Sequence, residues 1–357
     1  MNDTAMTSHR VAVIKDRRFG RHLEKIFHLE NPKRMAAFES VLQNPALAGK
    51  WEEVIPRLAT IEELAWIHTP AYIDKVAKTA GNPLTSFDFD TQATACSYDT
   101  ARLAAGGVFS LIDEIQNAKA KRGFAFVRPP GHHAEKDRAL GFCLFNNTAL
   151  GAAYLKNRWG VSKTMIVDID AHHGNGIQSA FYGTDEVLYV SMHLFPGFPG
   201  TGKVGEVGRG KGEGFTVNVP LGKGHGDKTF TRIMAQLVLP IATEYRPEMI
   251  LVSCGFDLYL YDRLGGMRVS PAGYAAITRL LIEAAETACN GRIAFIAEGG
   301  YSMKGIRACG LQIMQELCDA GAADLKTIEK AKNNHSSRFS EFKKVKEVQR
   351  KYWRVLN

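Results

Sequence analysis

The chain has 357 residues, is 45% hydrophobic and carries a formal net charge of +8 at pH 7. No apolar run reaches the roughly 18 residues that a membrane-spanning helix needs, which excludes a helical membrane protein and gives a soluble one as the expectation. Residues 326–357 hold ten Lys/Arg against three acidic residues, which is +7 of the +8, so the excess is local and gives no ground for specific nucleic-acid binding.

In chain order, the opening residues MNDTAMTSHR lack a basic segment followed by an apolar stretch, so no secretory signal is read and the cytoplasm is the expected compartment. Short β-rich runs then fall at 11–14, 124–127, 165–169, 187–192, 215–219, 249–253 and 293–297, separated by helical patterns. Several are apolar throughout, as strands covered on both faces should be, so the fold class is α/β with a parallel sheet. No linker, repeat or low-complexity break appears, so residues 1–357 are expected to form one domain. The six cysteines show no CxxC spacing and are expected to be reduced core thiols. In the basic tail, Phe339, Phe342, Val345, Tyr352 and Val355 recur at near-helical spacing, which predicts an amphipathic helix docked by one face. The alternative is a basic face for acidic partners, whose binding would weaken with salt.

Polar residues cluster just beyond four of these runs: Arg128-Pro-Pro-Gly-His-His, Asp168-Ile-Asp-Ala-His-His, Ser253-Cys-Gly-Phe-Asp257 and Glu298-Gly-Gly-Tyr301. In open parallel sheets the carboxyl ends of the strands hold the ligand site, so the four should converge. Alternate residues of an extended segment share a face, which projects Asp170 and His172 together. A carboxylate and an imidazole suit Zn²⁺ or a similar divalent ion, but two ligands are too few. Asp257, turned out of its strand end through Gly255, supplies a third and leaves coordination open for water and substrate. Taken segment by segment, a buried polar turn and, for Asp257, a helix cap are the alternatives.

The rigid Pro129-Pro130-Gly131 turn fixes His132 and His133. Asp168 and Asn175 are the groups placed to orient them. A carboxylate raises a histidine's pKa more than an amide does, so His132 with Asp168 should hold a proton and His133 with Asn175 should act as a base. Tyr301 offers a phenol to a developing oxyanion, with the Gly299-Gly300 pair expected to let it move. Phe142, with Phe198 or Phe195, is a candidate wall of an apolar channel, the alternative being a core or loop anchor. His173 is expected to make structural hydrogen bonds beneath the site.

These residues resemble the zinc-dependent histone deacetylase superfamily, including bacterial class II-like amidohydrolases and acetylpolyamine amidohydrolases. The likeness rests on Arg128-Pro-Pro-Gly-His-His-Ala, Gly141-Phe-Cys-Leu-Phe-Asn-Asn147, Val167-Asp-Ile-Asp-Ala-His-His-Gly-Asn-Gly176, Pro199-Gly-Thr-Gly202, Gly255-Phe-Asp257 and Glu298-Gly-Gly-Tyr301, in family order. Weaker similarity at Asn31-Pro-Lys-Arg34, Ala59-Thr-Ile-Glu-Glu-Leu64 and Glu347-Val-Gln-Arg-Lys-Tyr-Trp353 extends it over nearly the whole chain. The resemblance implies a single domain with a mostly parallel sheet of about eight strands and helices on both faces. It implies one zinc held by Asp170, His172 and Asp257, with His133 as base, His132 held by Asp168, Asn175 beside His133, and Tyr301 polarising the acyl carbonyl. Gly141, Phe142 and Phe198 match the acyl-lysine tunnel, and the implied reaction is amide hydrolysis without a covalent enzyme intermediate. A potassium site at Asp168, Asp170, His172, Ser191 and Met192, and a second at Phe181, Thr184 and Val187, are implied by resemblance alone.

Asn175 stands where the first class of eukaryotic members has aspartate. Arg263 replaces the usual proline of Asp262-Arg-Leu-Gly-Gly-Met267. Leu264 occupies the place of the acidic gatekeeper of polyamine-selective relatives, so acyl-lysine in a peptide or protein is favoured over a small acylated amine. Asp88 and Asp90 are candidates to hydrogen-bond the substrate. The rivals are an acetylpolyamine amidohydrolase, a non-catalytic acyl-lysine-binding protein, which the presence of Tyr301 disfavours, and a two-metal arginase-like hydrolase, for which too few carboxylates are present. The sequence leaves the oligomeric state open.

Overall fold

Residues 10–334 and 340–357 are described by a computed structural model. Its strands are β1 (Val11–Ile14), β2 (Trp51–Val54), β3 (Thr85–Ser86), β4 (Gln92–Ala93), β5 (Arg122–Ala125), β6 (Thr164–Asp168), β7 (Val187–Leu194), β8 (Thr216–Leu221), β9 (Met249–Cys254) and β10 (Ile293–Ala297). Eight of them form one sheet in the order β2-β1-β5-β10-β9-β6-β7-β8, every neighbouring pair parallel. The short β3 and β4 pair antiparallel to each other outside it.

The apolar runs are strands because both of their faces are buried. Along β1, Val11 and Val13 enter one apolar layer while Ala12 and Ile14 enter the other; along β9, Ile250, Val252 and Cys254 face one way and Met249 and Leu251 the other. Helices Ser97–Gln116 and Asn147–Trp159 cover one face, and Pro271–Cys289 and Met303–Leu317 the other. The result is the single α/β domain that the alternation implied.

The sheet has one strand that hydrophobic patterning missed. Trp51-Glu-Glu-Val54 is a half-exposed edge strand with two carboxylates, the composition by which sheets blunt an edge, and it carries no apolar run to find. The expected run at 124–127 is shifted by two residues, since β5 already pairs from Arg122 and Val127 lies past the ladder.

Helix Ser340–Gln349 buries Phe342 and Val345, and Gln349 Nε2 donates to Thr216 O of β8 at 3.4 Å. Of the other tail positions, Phe339 lies outside the described residues, Tyr352 is half-buried and Val355 is exposed, while Trp353 and Leu356 are buried. The helical period stops at Gln349, so a spacing argument carried past it picks the wrong side chains. All six cysteines are free; Cys143, Cys254, Cys289 and Cys309 are buried, but Cys96 and Cys318 are half-buried and not core thiols. Among the described residues no helix is long and apolar enough to cross a membrane.

Candidate active site

The four central strands, β5, β10, β9 and β6, end side by side, and each is followed by one of the four polar segments. Sheet order, and not sequence order, therefore brings His132, His133, Asp168, Asp170, His172, Asp257 and Tyr301 together. Register reinforces this: Asp168 lies beside Ser253 of β9 on one side and Ser191 of β7 on the other.

Asp170, His172 and Asp257 offer donor atoms that all lie within 4.8 Å of one another. His172 Nδ1 is 3.1 Å from Asp170 Oδ1 and 3.0 Å from Asp257 Oδ2. Main-chain donors hold both carboxylates: Ala171 N donates to Asp257 Oδ1 at 2.8 Å, and Gly299 N to Asp170 Oδ2 at 2.9 Å. Both acids are buried. Burial and the adjacent Asp170 push Asp257 up to about 7. Burial alone would raise Asp170 too, but His132 and His172 outweigh it and hold it below the ordinary carboxylate range. Burial opposes protonation of His172, yet hydrogen bonds to the two carboxylates raise it well above its usual value. Two buried acids facing one imidazole need a positive charge between them, and this oxygen and nitrogen donor set fits a divalent ion such as zinc.

His133 Nδ1 donates to Asn175 Oδ1 at 2.9 Å, which turns Nε2 toward the cleft; Asn175 Nδ2 is in turn held by Glu135 Oε1 at 2.8 Å. Burial, together with the charges of His132 and His172, holds His133 well below its ordinary pKa. His132 Nδ1 donates to Asp168 Oδ2 at 3.1 Å. Burial works against its charge, but Asp170 and Asp168 raise it to about 10. Asp168 also accepts from Tyr189 Oη at 2.9 Å. His173 bonds Thr201 Oγ1 at 2.7 Å and Gln178 Oε1 at 3.0 Å.

Tyr301 closes the opposite wall. A Cβ on Gly299 would lie 2.7 Å from Asp170 Oδ2, 2.9 Å from Asp257 Oδ2 and 3.3 Å from the Tyr301 hydroxyl, so only glycine lets these oxygens surround one point. Burial raises the phenol well above its normal pKa, which keeps it a proton donor. The expectation that the glycine pair leaves Tyr301 free to move is corrected. The buried Arg34 donates to the carbonyls of Glu298, of Gly299 at 3.1 Å and of Gly300 at 2.9 Å, and Asp262 Oδ2 accepts from Tyr301 N at 2.7 Å and Ser302 N at 2.9 Å. The glycines serve close approach, and the loop is tied down.

Phe142 and Phe198 flank the approach. Phe198 meets His133 edge-on at 5.0 Å, Phe142 meets Tyr301 edge-on at 5.6 Å, and Gly141 packs between His133 and Phe198 where a side chain would collide. Phe195, the other candidate wall, does not line the cleft. The cleft measures about 630 Å³ and opens past Leu264 and Asp90. Asp90 accepts from Thr91 Oγ1 at 2.9 Å. Asp88 is corrected as a substrate contact: its Oδ1 accepts from Asp90 N at 3.0 Å and Thr91 N at 2.7 Å, so it shapes the loop. Of the residues tied to potassium, Ser191 and Met192 lie near the site end of β7. Val187 starts the same strand at the far end, where Thr184 N donates to Phe181 O at 3.2 Å.

Sequence reasoning placed Asp168 and Asn175 behind the histidines but missed the supports that Glu298 and Arg34 provide. Glu298 Oε2 accepts from Gly131 N at 2.6 Å and His132 N at 3.1 Å, while its Oε1 accepts from Thr148 and Ser253 hydroxyls, each at 3.0 Å, so one buried carboxylate pins the histidine turn to β9. A lone glutamate directly after an all-apolar strand was the available signal. Arg34 also pairs with buried Glu30, which Arg128 grips at 2.5 and 2.7 Å. Arg34→Met removes the donor to three carbonyls, and we expect a loss of about 3–5 kcal/mol of stability in urea unfolding; a loss below about 1 kcal/mol would show that the loop does not need it.

The family model for the histone deacetylase domain matches residues 28–317. Histone deacetylase 15 of Arabidopsis thaliana is 40% identical over 81% of this chain and 52% of its own length, so the chain spans about half of that relative. A probable deacetylase of Archaeoglobus fulgidus is 36% identical over 80% of this chain and 79% of its own. The histone deacetylase-like amidohydrolase of Pseudomonas aeruginosa is 33% identical over 83% and 78%. The crystal structure of the HDA15 HD domain superposes with a TM-score of 0.87 at 35% identity, covering 97% of both chains.

Proposed function

The chain belongs to the histone deacetylase family of hydrolases, and from that premise we propose that it hydrolyses the amide bond of Nε-acyl-lysine in peptides or proteins. The observation that carries this reading is the meeting, in one cleft, of the Asp170–His172–Asp257 donor set, the His133 imidazole and the Tyr301 phenol.

Asp170, His172 and Asp257 would hold a zinc ion, which would supply a Lewis acid for the acyl carbonyl and acidify a water. His133, neutral and with Nδ1 committed to Asn175, takes the proton of the attacking water at Nε2. The Tyr301 hydroxyl donates to the carbonyl oxygen as the water oxygen bonds to carbon and negative charge builds. The carbon–nitrogen bond then breaks, a protonated histidine returns a proton to the departing amine, and the products are the carboxylate and the free ε-amine of the lysine side chain. His132, its Nδ1 held by Asp168 Oδ2 at 3.1 Å, is a positioning residue beside His133. Potassium at Asp168, Ser191 and Met192 belongs to the proposal on family resemblance alone.

The second reading is hydrolysis of acetylpolyamines. Leu264 at the mouth argues against it, since an alkyl side chain offers a distant ammonium nothing. Zinc-loaded protein should be assayed for amine release from acetyl- and longer-acyl-lysine peptides and from acetylated polyamines in one panel. A lysine peptide should lead by about tenfold or more in kcat/KM. A lead for the polyamines overturns the substrate assignment, and the best acyl length reports the depth of the tunnel.

A further inference from the structure

We propose that Phe27 and Phe89 form an apolar clamp at the mouth of the cleft that grips a hydrophobic residue beside the acyl-lysine, a specificity element that rests on the deacylase reading above. Both rings line the same cleft whose floor carries His133 and Tyr301. Their exposures are 102% and 86%, against 0% for the core ring Phe124. Two phenylalanines left in water beside a binding cleft gain nothing in the free protein, and such patches mark contact surfaces.

Neither ring sits on a loose strand of chain. Each immediately precedes a partner in one hydrogen bond, His28 Nε2 donating to Asp90 O at 3.0 Å, which ties the two loops together. Glu30 N donates to His28 Nδ1 at 3.1 Å, and the His28 ring meets Phe142 edge-on at 4.7 Å. The clamp is thus rooted on the tunnel wall, at a set distance from the catalytic groups. Half-exposed Leu29 and Leu264 extend the apolar rim, and the cleft lining holds one carboxylate, Asp90, with no lysine or arginine.

Continuity with the cleft decides what fills the clamp. When the acyl group and the lysine stem occupy the tunnel, the peptide on the amine side must emerge between these rings. An apolar neighbouring residue then buries surface against Phe27 and Phe89, whereas a polycationic amine meets mostly hydrocarbon.

The test compares two acetyl-lysine peptides identical except for Leu or Ser on either side of the acyl-lysine, each assayed with zinc-loaded wild type and a Phe27→Ser/Phe89→Ser double variant. The readout is the ratio of the two kcat/KM values within one preparation, which cancels the folded fraction. Wild type should prefer the Leu peptide by about tenfold. The double variant should bring the ratio close to unity, and Phe27→Leu/Phe89→Leu should keep most of it. A wild-type ratio near unity, or an unchanged ratio in the serine variant, overturns the clamp while the deacylase reading stands. No turnover of either peptide overturns both. A dimer by sedimentation that the serine substitutions abolish, with the ratio unmoved, gives the rings to a second copy of the chain and overturns the clamp.

Discussion

Asp170→Asn is expected to lower kcat/KM on an acetyl-lysine peptide by about a thousandfold or more, because removing a charged ligand forfeits several kcal/mol of metal-derived transition-state stabilisation. The substitution is nearly isosteric, but its one amide oxygen can replace only one of two acceptors, because His172 N donates to Asp170 Oδ1 and Gly299 N to Oδ2, at 2.9 Å each. The fold should survive at the cost of one of these bonds. The neutral side chain relieves the repulsion that helps push Asp257 up to about 7, but it also removes the charge that His132 and His172 favour. Without metal the variant should be less stable than wild type in urea, because His132 and His172 favour the Asp170 charge, while bound zinc measured after dialysis falls well below one per chain. Full zinc occupancy with activity within about tenfold of wild type would sink the ligand assignment.

Tyr301→Phe is expected to lower kcat by about 10²–10³, the usual loss of one donor to a developing oxyanion, with KM and zinc content nearly unchanged. The ring is held independently of its hydroxyl: Phe142 meets it edge-on at 5.6 Å, the Arg34 guanidinium lies 5.7 Å from its centroid, and Asp262 holds its main-chain nitrogen. Phenylalanine should keep that position and lose only the donated proton. Because burial holds the phenol well above its ordinary pKa, its ionisation should not shape the pH profile near neutrality. The decisive comparison is single-turnover cleavage. A drop in KM alone, or no drop in kcat, places the hydroxyl outside the transition state.

These expectations concern residues that were legible before any fold was known. Asp170 and His172 are two apart on an extended segment, His132 and His133 follow a Pro-Pro-Gly turn, and Asp257 and Tyr301 each end an apolar run. Local periodicity and backbone geometry suffice to aim such side chains, and the alternation of strands with helices carries the sheet class. Edge strand β2 escaped because its half-exposed positions obey no apolar pattern.

What the order of residues could not decide was which distant groups hold the site rigid. Arg34 reaches the Gly300 carbonyl across 266 positions, and Glu298 reaches the Gly131 nitrogen across 167. The same holds for Phe27 and Phe89, which line the cleft from two loops joined by the His28–Asp90 hydrogen bond. Strand and turn preferences are set by near neighbours, so the chemistry-bearing residues were readable in the chain itself. The supporting contacts join partners that meet only after the sheet has ordered its strands, and that order comes from the packing of both apolar layers at once.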